Sequence, residues 1–172
     1  RLWLKMANNN LLLKMSGICK SFGNVQVLND VCFDLYPGEV HILAGENGAG
    51  KSTLIKILAG VHTVYNGRIE LDNKTVRFSS VVEAASYGIS VIHQELSLVG
   101  EMSVSENIFL GREKHRFCVL DKSGMEREAK GLLNDLGLEL DVNKKVEEYP
   151  LSTQQMVEIA KAMAFESRII VM

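Results

Sequence analysis

Residues 45–53 read Gly45-Glu46-Asn47-Gly48-Ala49-Gly50-Lys51-Ser52-Thr53. This run satisfies the pattern Gly-x-x-x-x-Gly-Lys-[Ser/Thr] at every fixed position. The chemistry these residue types suit is the binding of a polyphosphate. Gly45, Gly48 and Gly50 open backbone conformations that side chains close, so that successive N–H groups of the loop turn into one concavity. A helix starting near Lys51 adds the positive end of its dipole at the same spot. The Lys51 ammonium is placed for β- and γ-phosphates, the Ser52 hydroxyl for Mg²⁺, and Thr53 for an α-phosphate. Average residue frequencies give a chance match in a chain of this length about 1% of the time, and the flanking sequence lowers that further.

The loop needs a strand before it and a helix after it, and the sequence offers both. Val40-His41-Ile42-Leu43-Ala44 is apolar on nearly every residue, the pattern of a strand buried on both faces of a parallel sheet. Tyr36-Pro37-Gly38-Glu39 is a turn that delivers the chain into it. After the loop, Leu54, Ile55 and Leu58 recur at helical spacing until Gly60. Upstream, residues 11–15, 25–28 and 31–35 are short apolar or alternating runs between turn residues, and predict a small antiparallel sheet. Residues 65–78 predict strands around an Asp72-Asn73 turn. Ser79 or Ser80 is placed to cap a helix through Tyr87, and residues 88–93 form a further strand. Beyond it, residues 104–110, 122–136 and 154–165 carry helical periodicity with few β-branched residues. Residues 168–172 return to a buried-strand pattern.

Length and composition set outer bounds. The chain has 172 residues, 47% of them hydrophobic and 23% charged, enough to bury a core and ordinary for a globular domain. A net charge of −2 supplies no basic footprint for nucleic acid, which is not expected as a partner. Cys19, Cys32 and Cys118 are widely spaced and odd in number, and read as small core residues of a reducing compartment. His41, His62, His93 and His115 have no metal-site spacing and read as structural or solvated. Lys144, Lys145, Glu147 and Glu148 read as a solvated surface loop, and the methionines as core fillers. No apolar run approaches the ~20 residues of a membrane-spanning helix. Residues 1–10 read as a leader or tag, with Met6 as the natural start.

Three further stretches, taken with the loop, carry a resemblance. Lys20-Ser21-Phe22-Gly23 precedes Val27-Leu28-Asn29-Asp30-Val31; Ile92-His93-Gln94-Glu95-Leu96 precedes Met102-Ser103-Val104-Ser105-Glu106-Asn107; and Leu151-Ser152-Thr153-Gln154-Gln155 opens into Met156-Val157-Glu158-Ile159-Ala160. With these the chain resembles, from about Leu11 to Met172, the ATP-binding subunits of ABC transporters, within them the monosaccharide importers of the ribose, galactose and xylose type. The resemblance implies an α/β fold of the P-loop NTPase kind, with an antiparallel β subdomain and an inserted helical subdomain at about residues 100–165. It implies ATP and Mg²⁺ as cofactors. Phe22 stands where the family stacks an aromatic ring on adenine, although a Phe beside a turn equally serves plain packing. Gln94 stands where the family touches Mg²⁺ or the attacking water, and is the one catalytic position matched. Ser152 stands where the family's signature serine closes on a γ-phosphate held by the opposite subunit. There the sequence departs from the pattern: Leu151-Ser152-Thr153-Gln154-Gln155 is shorter than Leu-Ser-x-Gly-x-Gln-Gln, so Ser152 also reads as a simple helix cap.

The family continues from a strand like Ile169-Ile170-Val171-Met172 into Asp-Glu-Pro, and later supplies a histidine. None of these falls within the 172 residues, so residues 11–172 read as an incomplete ATP-binding domain, truncated after the strand that would precede Asp-Glu. Hydrolysis is expected of a longer parent. The implied partners are a second ATP-binding domain, in the same polypeptide or a homodimer, membrane permease subunits, and indirectly a sugar-binding protein. The implied place is the cytoplasmic side of the cell membrane, peripherally. Two other functions stay open: a nucleotide-binding module without turnover, and a soluble ABC-type ATPase of DNA repair or translation.

Overall fold

A computed structural model describes residues 11–92, 96–116, 118–165 and 167–172. They divide into two compact units, one up to Ala84 and one from Ala85.

The first unit is built on strands β1 (Leu13–Phe22) and β2 (Val25–Leu35), helix α1 (Lys51–Leu58), and strands β3 (Asn66–Leu71) and β4 (Lys74–Val76). Among the described residues the strands form one antiparallel sheet in the order β2-β1-β3-β4. Short turns join β1 to β2 and β3 to β4, whereas residues 36–65, which carry α1, lead from β2 to β3 on the other side of β1. Asp72 and Asn73 both adopt positive φ, 49° and 62°, the backbone of a two-residue hairpin turn suited to Asp and Asn. Leu13, Met15, Ile18, Ile69 and Leu71 are buried on one face of the sheet. Helix α1 buries Leu54, Ile57 and Leu58. Helix α2 (Val81–Ser86) begins after Ser80, whose Oγ accepts the Glu83 N–H at 3.2 Å. The Glu83 carboxylate reaches back to the Ser79 N–H at 2.7 Å. Both serines named from the sequence thus take part in the start of this helix.

Three expectations are corrected here. The runs 25–28 and 31–35 belong to one long strand, β2, with register shifts against β1 around Ile18 and Lys20. These bulges absorb the residues that read as a break. Residues 40–44 are not a strand. Among the described residues no ladder includes them, and Val40 and Ile42 are 92% and 79% exposed. An apolar run becomes a strand only when another backbone satisfies its N–H and C=O groups. Finally, Cys32 and Cys118 are exposed and Cys19 is intermediate, so they are not core residues. Alternation along β2 turns Cys32 to the same open side as Asp30 and Asp34, and Cys118 sits at a hairpin tip with φ 65°.

The second unit carries β5 (Ile89–Val91), α3 (Val104–Phe109), the hairpin β6 (His115–Arg116) and β7 (Val119–Leu120), α4 (Lys122–Asp135), α5 (Leu151–Met163) and β8 (Ile169–Val171). Strands β5 and β8 pair in parallel, Ile89 opposite Ile169. The three helices share a core of Val104, Ile108, Phe109, Met125, Ala129, Leu133, Val157 and Ala160. Local chemistry starts each helix. Ser103 and Glu106 form a reciprocal capping box on α3. Asp121 accepts the Gly124 N–H at 2.9 Å to cap α4. Pro150 precedes α5, and its fixed φ and missing N–H suit the start of a helix. The segment read as a surface loop is a single 3₁₀ turn, Val146–Glu148. Its charges pair in solvent, Lys144 with Glu148 at 3.4 Å, while Val146 is buried.

Candidate functional site

Residues 45–49 form an exposed loop that closes through the buried Gly50 directly onto α1. The Ala49 N–H donates to the Glu46 carbonyl at 3.2 Å, and the Leu54 N–H to the Gly50 carbonyl at 2.9 Å, closing the first helical turn. Gly50 is the N-cap of α1 in the left-handed conformation, φ 87° and ψ 1°. A β-carbon there would stand 2.6 Å from Leu28 Cδ2 and 3.0 Å from the Val27 carbonyl oxygen. Only glycine fits that backbone in that space. The loop is therefore anchored on β2 at Val27 and Leu28, and from that anchor the helix axis is set.

The electrostatics of the spot are one-sided. No side chain caps the N-terminus of α1, and no acidic residue lies in its first turn. The first N–H groups of a helix have no partner within it, so those of Lys51, Ser52 and Thr53 face outward with the positive end of the dipole behind them. The Lys51 ammonium folds back over the loop, donating to the carbonyls of Gly45 at 2.6 Å and Glu46 at 2.7 Å. It is thus held at the mouth of the loop by weak, neutral acceptors that a phosphate oxygen would outcompete. Ser52 is exposed and Thr53 half-buried. An anion with several oxygens is the chemical species this arrangement suits.

Phe22 ends β1 and pairs with Val25 across the hairpin. Its ring is 44% exposed, so it is not core packing. The His62 imidazole meets it at 5.2 Å between centroids and 68° between planes, and the Lys20 ammonium lies 4.9 Å from its centroid. Gly45 to Thr53 and Phe22 all belong to the first unit. Gln94 lies outside the described residues. Ser152 belongs to the second unit, exposed in the first turn of α5. The helix starts one residue before it with no side-chain cap bond, which removes the reading of Ser152 as a simple cap.

Other polar contacts were not legible in the sequence. Glu158, on α5, is 6% exposed, and its carboxylate accepts both the N–H of Ser97, at 3.2 Å, and its hydroxyl. Asn107, fully buried in α3, accepts the Val99 N–H at 2.7 Å and donates to the carbonyls of Val99, Met102 and Ser103. A polar residue on the inward face of an amphipathic helix is the one signal that could have found them.

The family model described as "ABC transporter" matches residues 28–172. This chain belongs to the ABC transporter family. Among curated relatives of this ABC chain, a ribose import ATP-binding protein of Rubrobacter xylanophilus is 49% identical over 161 residues, covering 94% of the chain and 32% of that protein. A xylose import ATP-binding protein of Geobacillus kaustophilus is 44% identical over 163 residues, again covering 94% and 32%. The ABC chain thus spans about a third of the length of the relatives it matches. Among solved structures, a nucleotide-free ATP-binding cassette from an ABC transporter superposes with a TM-score of 0.79 at 26% identity, over 93% of this chain and 67% of that one. An ADP-bound form of an ATP-binding cassette gives 0.80 at 27% over the same shares. The ABC ATPase fold inferred from the sequence is the fold observed. Among the described residues no helix is long and apolar enough to cross a membrane.

Proposed function

We propose that this chain binds ATP with Mg²⁺ as part of the energising subunit of a monosaccharide importer. The observation that carries the reading is the loop at residues 45–50 closing on an uncapped helix N-terminus, with the Lys51 ammonium poised over it. The relatives, import ATP-binding proteins for ribose and xylose, support a monosaccharide as cargo and import as the direction. In this reading the N–H groups of Glu46, Asn47, Gly48, Gly50 and Lys51 cradle the β-phosphate, while the Ala49 N–H holds the loop closed on the Glu46 carbonyl. Lys51 leaves the Gly45 and Glu46 carbonyls for phosphate oxygens, and Thr53 faces the α-phosphate. Phe22 offers its exposed ring to the base.

The residues present fit Mg²⁺ in the form it takes with nucleotides, where phosphates and water supply most of its ligands and protein supplies few. Ser52, exposed beside Lys51, would hold it, and the ion would neutralise charge on the phosphates. Among the described residues no group of three or more His, Cys, Asp or Glu could hold a metal by itself. Ser152 would present the N-terminus of α5 to a nucleotide on a second ATP-binding domain, by the same helix-end attraction for anions. The subunit would dock on membrane permease subunits at the cytoplasmic face and serve, through them, a sugar-binding protein.

The test is a calorimetric titration of Mg-ATP into the chain and into Lys51→Ala. The reading expects binding by the first and a large loss in the second. Equal affinities would sink it.

A further inference from the structure

Resting on the nucleotide reading above, we propose that His62 forms, together with Phe22, the subsite that holds the nucleobase. The argument begins with what the fold brings together. His62 follows α1, and Phe22 ends β1, separated from it by forty residues of chain. The Val61 and His62 N–H groups both donate to the Lys56 carbonyl, at 2.8 and 3.0 Å, so the main chain at the end of α1 is held and the imidazole is set against the Phe22 ring. Aromatic pairs gain from this edge arrangement, and it leaves the exposed part of the Phe22 ring open to a third flat group.

Placement relative to the phosphate loop follows from β2. Gly50 packs on Val27 and Leu28, and Phe22 sits opposite Val25 at the end of the same strand. At about 3.3 Å per residue, the aromatic pair is some 7–10 Å along the strand from the loop. That is a separation the ribose of a nucleotide bridges between its phosphates and its base. A base stacked on Phe22 would stand nearly upright to the His62 ring, whose plane is 68° from that of Phe22, and so would meet imidazole along its edge. Burial, then the Lys20 and Lys56 ammonium groups, hold the imidazole below its ordinary pKa, so at neutral pH it presents a neutral ring with one donor and one acceptor. The Lys20 ammonium, 4.9 Å from the Phe22 centroid, is tied to the Val64 carbonyl at 2.6 Å and borders the same subsite.

The experiment compares two ligands, Mg-ATP and Mg-tripolyphosphate, the second lacking base and ribose. Each is titrated calorimetrically into the chain, His62→Ala, His62→Phe and Lys51→Ala. The expected result is that His62→Ala weakens ATP binding about three- to tenfold and leaves tripolyphosphate unchanged. His62→Phe, which keeps an aromatic wall, retains most of the ATP affinity, so the loss in the alanine variant is not one of folding. If His62→Ala binds ATP as the parent does, or weakens both ligands alike, His62 is not at the base and the proposal falls, while loss of both ligands in Lys51→Ala keeps the phosphate-loop reading. If the parent binds neither ligand, both readings fall together.

Discussion

Replacing Gly50 by alanine sets a methyl group into a space the fold has already filled. The new β-carbon would lie 3.0 Å from the Val27 carbonyl oxygen, which belongs to a strand and cannot swing aside, and 2.6 Å from Leu28 Cδ2, which can rotate away. The backbone at φ 87° adds the cost of placing a side chain in the left-handed region, about 1–2 kcal/mol. Crowding against the strand adds about 1–3 kcal/mol, for a total of roughly 2–5 kcal/mol. Gly48 supplies the internal control. Its φ is 86°, yet a β-carbon there meets nothing within 4 Å, so Gly48→Ala should cost only the backbone part, about 1–2 kcal/mol. Urea unfolding followed by circular dichroism reads both. With a slope of about 2 kcal/mol/M, the Gly50→Ala midpoint should lie at least 0.5 M, and typically about 1 M, below that of Gly48→Ala. Equal midpoints for the two variants would refute the claim that the loop is anchored on β2 through Gly50.

Four other outcomes are expected. Lys51→Ala should change stability by less than about 1 kcal/mol, because the ammonium touches only loop carbonyls, while Mg-ATP affinity falls roughly 10- to 150-fold by calorimetry. His62→Ala should weaken Mg-ATP and spare Mg-tripolyphosphate. Asn107→Ala strips the contacts that the fully buried Asn107 makes with segment 99–103 and should cost about 3 kcal/mol, with loss of hydrogen-exchange protection at the Val99 amide. The Glu106 carboxyl is held below its ordinary pKa, first by the Ser103 N–H, then by the Ser103 hydroxyl. A lowered folded-state pKa stabilises above the unfolded value near 4.3 and is lost as pH falls through the lowered one. The stability gap between the parent and Glu106→Gln should therefore be present at pH 7 and shrink below about pH 4; a gap independent of pH would contradict the assignment.

The glycine-rich loop, helix α1, the Asp72-Asn73 turn, the Ser80 cap and the three helices around Val104–Met163 were legible in the sequence, since each depends on residues within a few positions of one another. A glycine-rich turn before a helical repeat, or a serine three residues before a glutamate, carries its own physics wherever it lies in the fold. What misled was the apolar run Val40–Ala44 and the cysteines. Apolarity reports a preference for burial, and whether burial happens depends on which backbones arrive alongside.

Residue type and spacing alone thus determined the glycine-rich loop that closes on α1, the helix behind it and the family to which the chain belongs. Only the tertiary structure decided that β2 is one bulged strand on which Gly50 rests, that Cys32 turns to the open side, that Asn107 and Glu158 are buried and bonded, and that His62 meets Phe22. Apart from the bonds of Asn107, which stay within eight residues, those outcomes join residues far apart in the chain, through pairing register and packing, and no local pattern encodes which distant surfaces will meet.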